Sequence, residues 1–140
     1  MKKGFTLIEL LVVIAIIGIL ASVVLIGFPN ATKKAKDSRV ISAIGQARTV
    51  MTYIGANDGT YAAFSDTHVD MVTLWAEITN NDAGVQGIKG GTEEQGACIY
   101  AQLNAKATYW YCADTTGVAG FTSIDPSSAC GTGFACPTLE

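Results

Sequence analysis

The sequence has few of the side chains that carry catalytic or metal chemistry. Its 140 residues include one histidine, His68, and no C-x-x-C motif. A single histidine without a serine–histidine–aspartate grouping or a phosphate-binding glycine loop argues against an enzyme. We interpret His68 as a surface residue of a helix. We therefore expect no catalytic residue, no bound metal ion and no cofactor.

Charge is also scarce, and its distribution is uneven. Charged residues make up 15% of the chain, and the formal net charge is −3. The basic residues are not gathered around aromatic side chains, so the composition does not indicate nucleic-acid binding. From Phe5 to Phe28 the only charged residue is Glu9. This run is long enough to cross a bilayer as a helix.

Glu9 needs an explanation, because an ionisable side chain inside a membrane span costs roughly 2.5–3.5 kcal/mol or more. It either has a function in the membrane or lies close enough to the interface to reach water. The basic head Met1-Lys2-Lys3-Gly4 before the run also suggests a secretory signal. However, no A-x-A cleavage triplet occurs between Ile19 and Ala31, which disfavours that interpretation.

Residues 2 to 20 resemble a known signal, the class III signal of type IV pilins and type II secretion pseudopilins, and read KKGFTLIELLVVIAIIGIL. The resemblance is close over about the first thirty residues and is one of architecture beyond them. It implies that a prepilin peptidase cuts between Gly4 and Phe5 and that Phe5 is then N-methylated. It also implies that Glu9 pairs with the N-terminal amine of a neighbouring subunit during filament assembly.

The physical chemistry of Phe5 and Glu9 agrees with that role. Cleavage would create an α-amino group with an ordinary pKa of about 7.7–8.0. An isolated cation and an isolated carboxylate are each costly in apolar surroundings, and pairing offsets much of that cost. Because Phe5 and Glu9 are four residues apart, an intrachain pair is possible as well as an intersubunit pair.

The chain is expected to divide into a leader, a long helix and an exported head. We assign residues 1–4 to the leader, 5–28 to the transmembrane or filament-core helix, 29–54 to its amphipathic continuation and 55–140 to the head. Gly27 and Pro29 predict a kink; the alternative is that the helix ends at Pro29. A resumed apolar stripe favours the kink, and it comprises Val40, Ile44, Ala47, Met51 and Ile54. A solvated, mostly basic collar precedes it, comprising Lys33, Lys34, Lys36, Asp37 and Arg39.

The head is expected to contain a small antiparallel sheet, which makes the fold α+β and pilin-like. A short helix is predicted from Asp66 to Ile78, followed by a glycine-rich loop over residues 85–96. Strands are predicted over residues 98–103, 107–112 and 118–124. An irregular tail is expected from Asp125 onward.

Four cysteines at positions 98, 112, 130 and 136 suggest two disulfides, since an even number is typical of small exported domains. A metal site is the alternative, but the spacing disfavours it. If Leu103 faces Ala107 across a three-residue loop, Cys98 faces Cys112 in the same register. That pairing, Cys98–Cys112, leaves Cys130–Cys136 as the second disulfide.

The function expected from these features is that of a structural subunit of a type IV pilus, used in adhesion, motility or DNA uptake. The alternatives are a pseudopilin of a type II secretion system and a non-polymerising single-span protein with an exported binding domain. The expected partners are further copies of the chain, other pilins, the prepilin peptidase and methyltransferase, the inner-membrane assembly machinery and, before assembly, the membrane.

The expected location is the cytoplasmic membrane before assembly and an extracellular filament afterwards. The positive-inside rule conflicts with this orientation, because Lys33, Lys34 and Lys36 follow the apolar run. The cysteines and the leader resemblance both place the head outside.

Overall fold

The structure, a computed structural model, describes residues 4–92 and 95–140. The chain divides into two compact units, one up to Thr32 and one from Lys33 to Glu140. Except for Gly4, the predicted leader lies outside the described residues. The predicted α+β class is confirmed, with elements α1 (Leu7–Asp58), α2 (Val72–Asn81), β1 (Gln86–Gly90), β2 (Ala97–Gln102), β3 (Trp110–Asp114), β4 (Ala119–Thr122) and α3 (Ser127–Gly133).

Helix α1 includes the whole apolar run from Leu7 and continues through Pro29. The alternative that the helix ends at Pro29 is therefore wrong. Proline lacks a backbone N–H, so the carbonyl of Leu25 loses its usual helical donor. The kink at Gly27 and Pro29 stays a prediction.

The second half of α1 carries the predicted apolar stripe, and its burial is confirmed. Each stripe residue, together with Ala43, is at most 2% exposed. These side chains pack against one face of the sheet, through Ala97, Ile99, Ala101 and Ala113. Each fully buried Ile or Met contributes about 1.5–3 kcal/mol, so this contact anchors the second unit.

The sheet has four antiparallel strands in the order β1-β2-β3-β4. The predicted loop over residues 85–96 was wrong in part, because Gln86–Gly90 pairs with β2. The two glycines of this strand lower its β-propensity, but tertiary contacts require them. A Cβ at Gly87 would lie 2.5 Å from the ring of Tyr100, and one at Gly90 would lie 2.0 Å from the carbonyl oxygen of Tyr61.

The face of the sheet opposite α1 carries the disulfides, and the predicted pairing was wrong. The bonds are Cys98–Cys130 and Cys112–Cys136, each with a Cα–Cα distance of 5.8 Å. Neither Cys98–Cys112 nor Cys130–Cys136 forms.

The physical reason is a strand register two residues away from the predicted one. Cys98 pairs with Asp114, and Cys112 pairs with Tyr100. Cys98 and Cys112 thus share a face but lie diagonally, where Cα atoms are about 7–8 Å apart, beyond ordinary disulfide reach. Each strand cysteine bonds instead to the C-terminal segment, which covers this face.

Asp37 is buried, which corrects its assignment to a solvated collar. It is 7% exposed. Its Oδ1 accepts hydrogen bonds from the backbone N–H of Asn104 at 2.6 Å and from Asn104 Nδ2 at 3.0 Å. Its Oδ2 accepts one from the N–H of Ala105 at 2.9 Å. Asn104 Nδ2 also donates to the carbonyl of Asn81 at 2.6 Å. One carboxylate therefore holds the β2–β3 loop to α1 and, through Asn104, to the end of α2.

Helix α2 begins later than predicted. The residues from Asp66 form turns, and the helix proper starts at Val72 after an N-cap at Met71 that makes no side-chain cap. The expected irregular tail contains α3, whose first residue, Ser127, donates its N–H to Asp125 Oδ1 at 2.9 Å.

Candidate assembly site at the start of the first helix

The apolar part of α1 has the length and composition of a membrane span. Leu7–Ile26 comprises 20 residues with a mean hydropathy of 3.0, and none of it is buried. At 1.5 Å per residue it is about 30 Å long, which matches the hydrocarbon core of a bilayer. Its exposed side chains are the apolar surface that lipid or other helices could cover.

Glu9 lies in the first turn of this helix and is fixed there by Thr6. The backbone N–H and the hydroxyl of Thr6 donate to Glu9 Oε2 at 2.8 and 2.6 Å. The N–H of Glu9 contacts Thr6 Oγ1 at 3.3 Å. These reciprocal contacts form a capping box, in which the first and fourth residues satisfy each other's backbone donors. The carboxylate is therefore held at the positive end of the helix dipole.

This capping box was missed by the sequence analysis, although the spacing Thr6-x-x-Glu9 could have revealed it. Both contacts from Thr6 use one oxygen of the carboxylate. Within the described part of the chain, no group donates to the other oxygen, Oε1. Glu9 can thus cap its own helix and still accept a cation at Oε1.

The predicted cleavage residues lie just before the helix. Gly4 and Phe5 precede the first helical residue, Leu7, and both are exposed. A Cβ at Gly4 would meet no atom of the described residues within 4 Å. Packing in this chain therefore does not require glycine at position 4, and the segment is sterically open to another protein. The structure brings Phe5, Thr6 and Glu9 together at one helix end.

Among the described residues of the second unit, three titratable side chains have shifted pKa values with local causes. Burial raises the pKa of Asp82, and a hydrogen bond from the Gly84 N–H partly offsets this. Burial, and then the charge of Asp125, raises the pKa of Tyr100. Hydrogen bonds from the hydroxyls of Ser123 and then Tyr109 lower the pKa of Glu140.

The first 25 residues match the family model described as the prokaryotic N-terminal methylation motif. The resemblance of residues 2–20 to a class III prepilin signal is thereby confirmed. No solved structure matches the chain.

Among curated proteins, the chain is 49% identical over 51 residues to a type IV major fimbrial protein of Dichelobacter nodosus, covering 36% of this chain and 33% of that protein. It is 27% identical over 124 residues to a type IV major pilin protein of Neisseria gonorrhoeae, covering 80% and 58%. It is 34% identical over 101 residues to fimbrial protein Q of Moraxella bovis, covering 69% and 64%.

The chain thus spans from about a third to just under two thirds of the length of these relatives. They are named as pilins or fimbrial proteins, and none of the three carries the name of an enzyme. The chain is therefore similar to pilin subunits.

Proposed function

We propose that this chain is a structural subunit of a type IV pilus. The observation that carries the proposal is the exposed apolar segment of α1, 20 residues from Leu7 to Ile26, with one carboxylate fixed in its first turn. Similarity to pilins and the N-terminal methylation motif support it. The helix anchors the subunit in the cytoplasmic membrane before assembly and lies in the core of an extracellular filament afterwards. The transfer is possible because neighbouring apolar helices replace lipid around the same side chains.

Processing precedes assembly in this proposal. A prepilin peptidase removes residues 1–4, and Phe5 becomes the N-methylated first residue. Cleavage leaves an amine one residue before Thr6, close to the carboxylate that Thr6 holds. The unoccupied oxygen of Glu9 then accepts the Phe5 amine of an adjacent subunit, so each new subunit enters at a defined axial position.

The processing step is tested by intact-mass measurement of the membrane subunit. The wild-type chain should begin at Phe5 and carry one methyl group. Gly4→Leu should leave the leader attached, because the peptidase, not the packing of this chain, requires a small residue there. Gly18→Leu is a matched control at a glycine with equally open surroundings. A wild-type chain that still carries residues 1–4 would refute the processing step.

The assembly step is tested by the yield of sheared filaments at equal amounts of processed subunit. Glu9→Val and Glu9→Gln both remove the charge, and both should lower the yield because the partner amine loses its counter-charge. Thr6→Val removes the hydroxyl contact and keeps the charge, so its loss should be smaller. If Glu9→Val gives the wild-type yield, the carboxylate does not drive assembly. Sheared filaments that lack this chain would exclude the pilus subunit itself.

A further inference from the structure

Three exposed lysines, Lys33, Lys34 and Lys36, lie at the start of the second unit, and two of them share one side of α1. Lys33 and Lys36 are three apart on α1, and Lys36 precedes the buried Val40 by one turn. They therefore lie on the side of the helix that packs against the sheet, but below the point where the sheet covers it. Within the described part of the chain, neither forms an ion pair, whereas Arg39 pairs with Glu77 at 3.7 Å.

Further along the same unit lies an apolar groove with an acidic rim. Thr49, Val50, Tyr53 and Asp70 line it. Tyr53, Val69 and Val72 expose 59%, 80% and 50% of their surfaces. Asp66 and Asp70, in the turns between α1 and α2, are also exposed, and Asp70 Oδ2 lies 3.9 Å from His68 Nδ1. We define the docking groove by its exposed or lining residues, which are Thr49, Val50, Tyr53, Asp66, Val69, Asp70 and Val72. Its two carboxylates, Asp66 and Asp70, give it negative charge.

The two surfaces of one chain are too far apart to meet. Both lie on the second unit, and Lys36 and Tyr53 are on the same helix. At 1.5 Å per residue, the helix rises about 26 Å between them. The lysines of a chain therefore cannot neutralise its own groove, and their complement must come from another molecule.

We propose that the docking groove binds a second copy of this chain, whose Lys33 and Lys36 face Asp66 and Asp70. This inference rests on the proposed function, because it specifies one contact between subunits of the filament. The charge complementarity identifies the occupant: the chain carries both signs, on two surfaces separated along one axis. The contact is heterologous, since different surfaces of each copy meet, and repetition with a shift of roughly 25–30 Å along α1 gives an open filament rather than a closed dimer.

The first test exchanges the charges. Lys33→Glu/Lys36→Glu and Asp66→Lys/Asp70→Lys should each lower the yield of sheared filaments roughly 3- to 10-fold at equal levels of processed, disulfide-bonded subunit. The chain with all four substitutions should recover to within about 2-fold of wild type, because the ion pairs re-form with reversed sign. Lys89→Glu reverses the charge of an exposed lysine on strand β1, outside both surfaces, and should leave the yield unchanged.

The second test uses native filaments. Zero-length carbodiimide coupling should join Lys33 or Lys36 to Asp66 or Asp70 in peptides from assembled filaments and not in those from detergent-dispersed subunits. Because α1 rises about 26 Å between Lys36 and Tyr53, which lines the groove with Asp70, a Lys36–Asp70 bond must join two copies.

Three results would overturn the inference. The first is wild-type yield from both exchanged pairs. The second is loss of yield from the lysine exchange alone, without rescue by the aspartate exchange, which would indicate that the lysines contact anionic lipid headgroups. The third is the absence of these cross-links from filaments that contain the chain. In each case wild-type filaments would still support the pilus subunit, so the two proposals fail separately.

Discussion

Replacing Asp37 should destabilise the second unit more than replacing any other charged residue of α1. The carboxylate is 7% exposed and accepts hydrogen bonds from two backbone N–H groups and one side-chain amide of the β2–β3 loop. In Asp37→Ala these donors lose their acceptor together, and the loop loses its attachment to the helix. Asp37→Asn keeps one acceptor oxygen and replaces the other with an amide NH2 group. Its loss of stability should therefore lie between zero and that of Asp37→Ala.

The magnitude follows from these contacts. A hydrogen bond to a charged group contributes about 1.5–3 kcal/mol, but contributions to one carboxylate are not additive, and a freed loop can admit water. We therefore expect Asp37→Ala to lower the free energy of unfolding by about 3–4 kcal/mol. For Asp37→Asn the expected loss is about 1–2 kcal/mol. These are large fractions of the roughly 5–15 kcal/mol typical of a domain.

The assay is denaturant unfolding of the full chain in detergent micelles, followed by hydrogen exchange of the loop. The N–H groups of Asn104 and Ala105 should exchange faster in Asp37→Ala. Asp58→Ala is the control, since the carboxylate of Asp58 bonds only to its neighbour Asn57 among the described residues. If Asp37→Ala unfolds within about 0.5 kcal/mol of wild type, the carboxylate does not hold the loop and the reasoning fails.

Three further predictions concern the sheet and the C-terminal segment. Gly87→Ala should destabilise the second unit by about 1–3 kcal/mol, because its Cβ would overlap the Tyr100 ring; Gly131→Ala, in open surroundings, should be neutral in the same unfolding experiment. Peptide mapping without reduction should recover Cys98–Cys130 as one of two linkages, and opening it should cost about 3–4 kcal/mol from the length of the closed loop; a peptide in which the two strand cysteines are joined would refute the pairing. Since the folded-state pKa of Glu140 is lowered, its contribution is complete above the ordinary glutamate pKa of about 4.3 and is lost as pH falls through the folded-state value; hydrogen exchange near the C-terminus should rise there, and Glu140→Gln should abolish that pH dependence.

The long helix could be predicted because its signals are local and repeated. The apolar run and the stripe from Val40 to Ile54 each extend over several turns, so the pattern determines both the element and its buried side. The cap of this helix could also have been predicted from the sequence, since Thr6 and Glu9 have the spacing of a capping box.

The strand register could not be predicted, because it depends on contacts distant in sequence. The β2–β3 loop is set by Asp37, which precedes Asn104 by more than sixty positions along the chain. The predicted three-residue loop between Leu103 and Ala107 satisfies local turn preferences as well as the longer loop of the structure does. The error propagated to the disulfides, because a shift of two residues keeps the same face but changes the opposed partner. Strand β1 could not be predicted from local β-propensity, which its glycines lower. Gly87 is required there because the Tyr100 ring leaves no space for a side chain.

The two disulfides also limit how far the chain can lengthen under tension. Without cross-links, the roughly 38 residues from Cys98 to Cys136 could extend to about 130 Å. The bond between Cys98 and Cys130 removes most of that length, so only the last six or so residues remain extensible, about 20 Å. If force applied to α1 unfolded the head, α2 and β1 could separate from it. The segment from Cys98 to Cys136 would stay short, because its two disulfides hold it together. In a filament that bears load, that part of each subunit would act as an inextensible link.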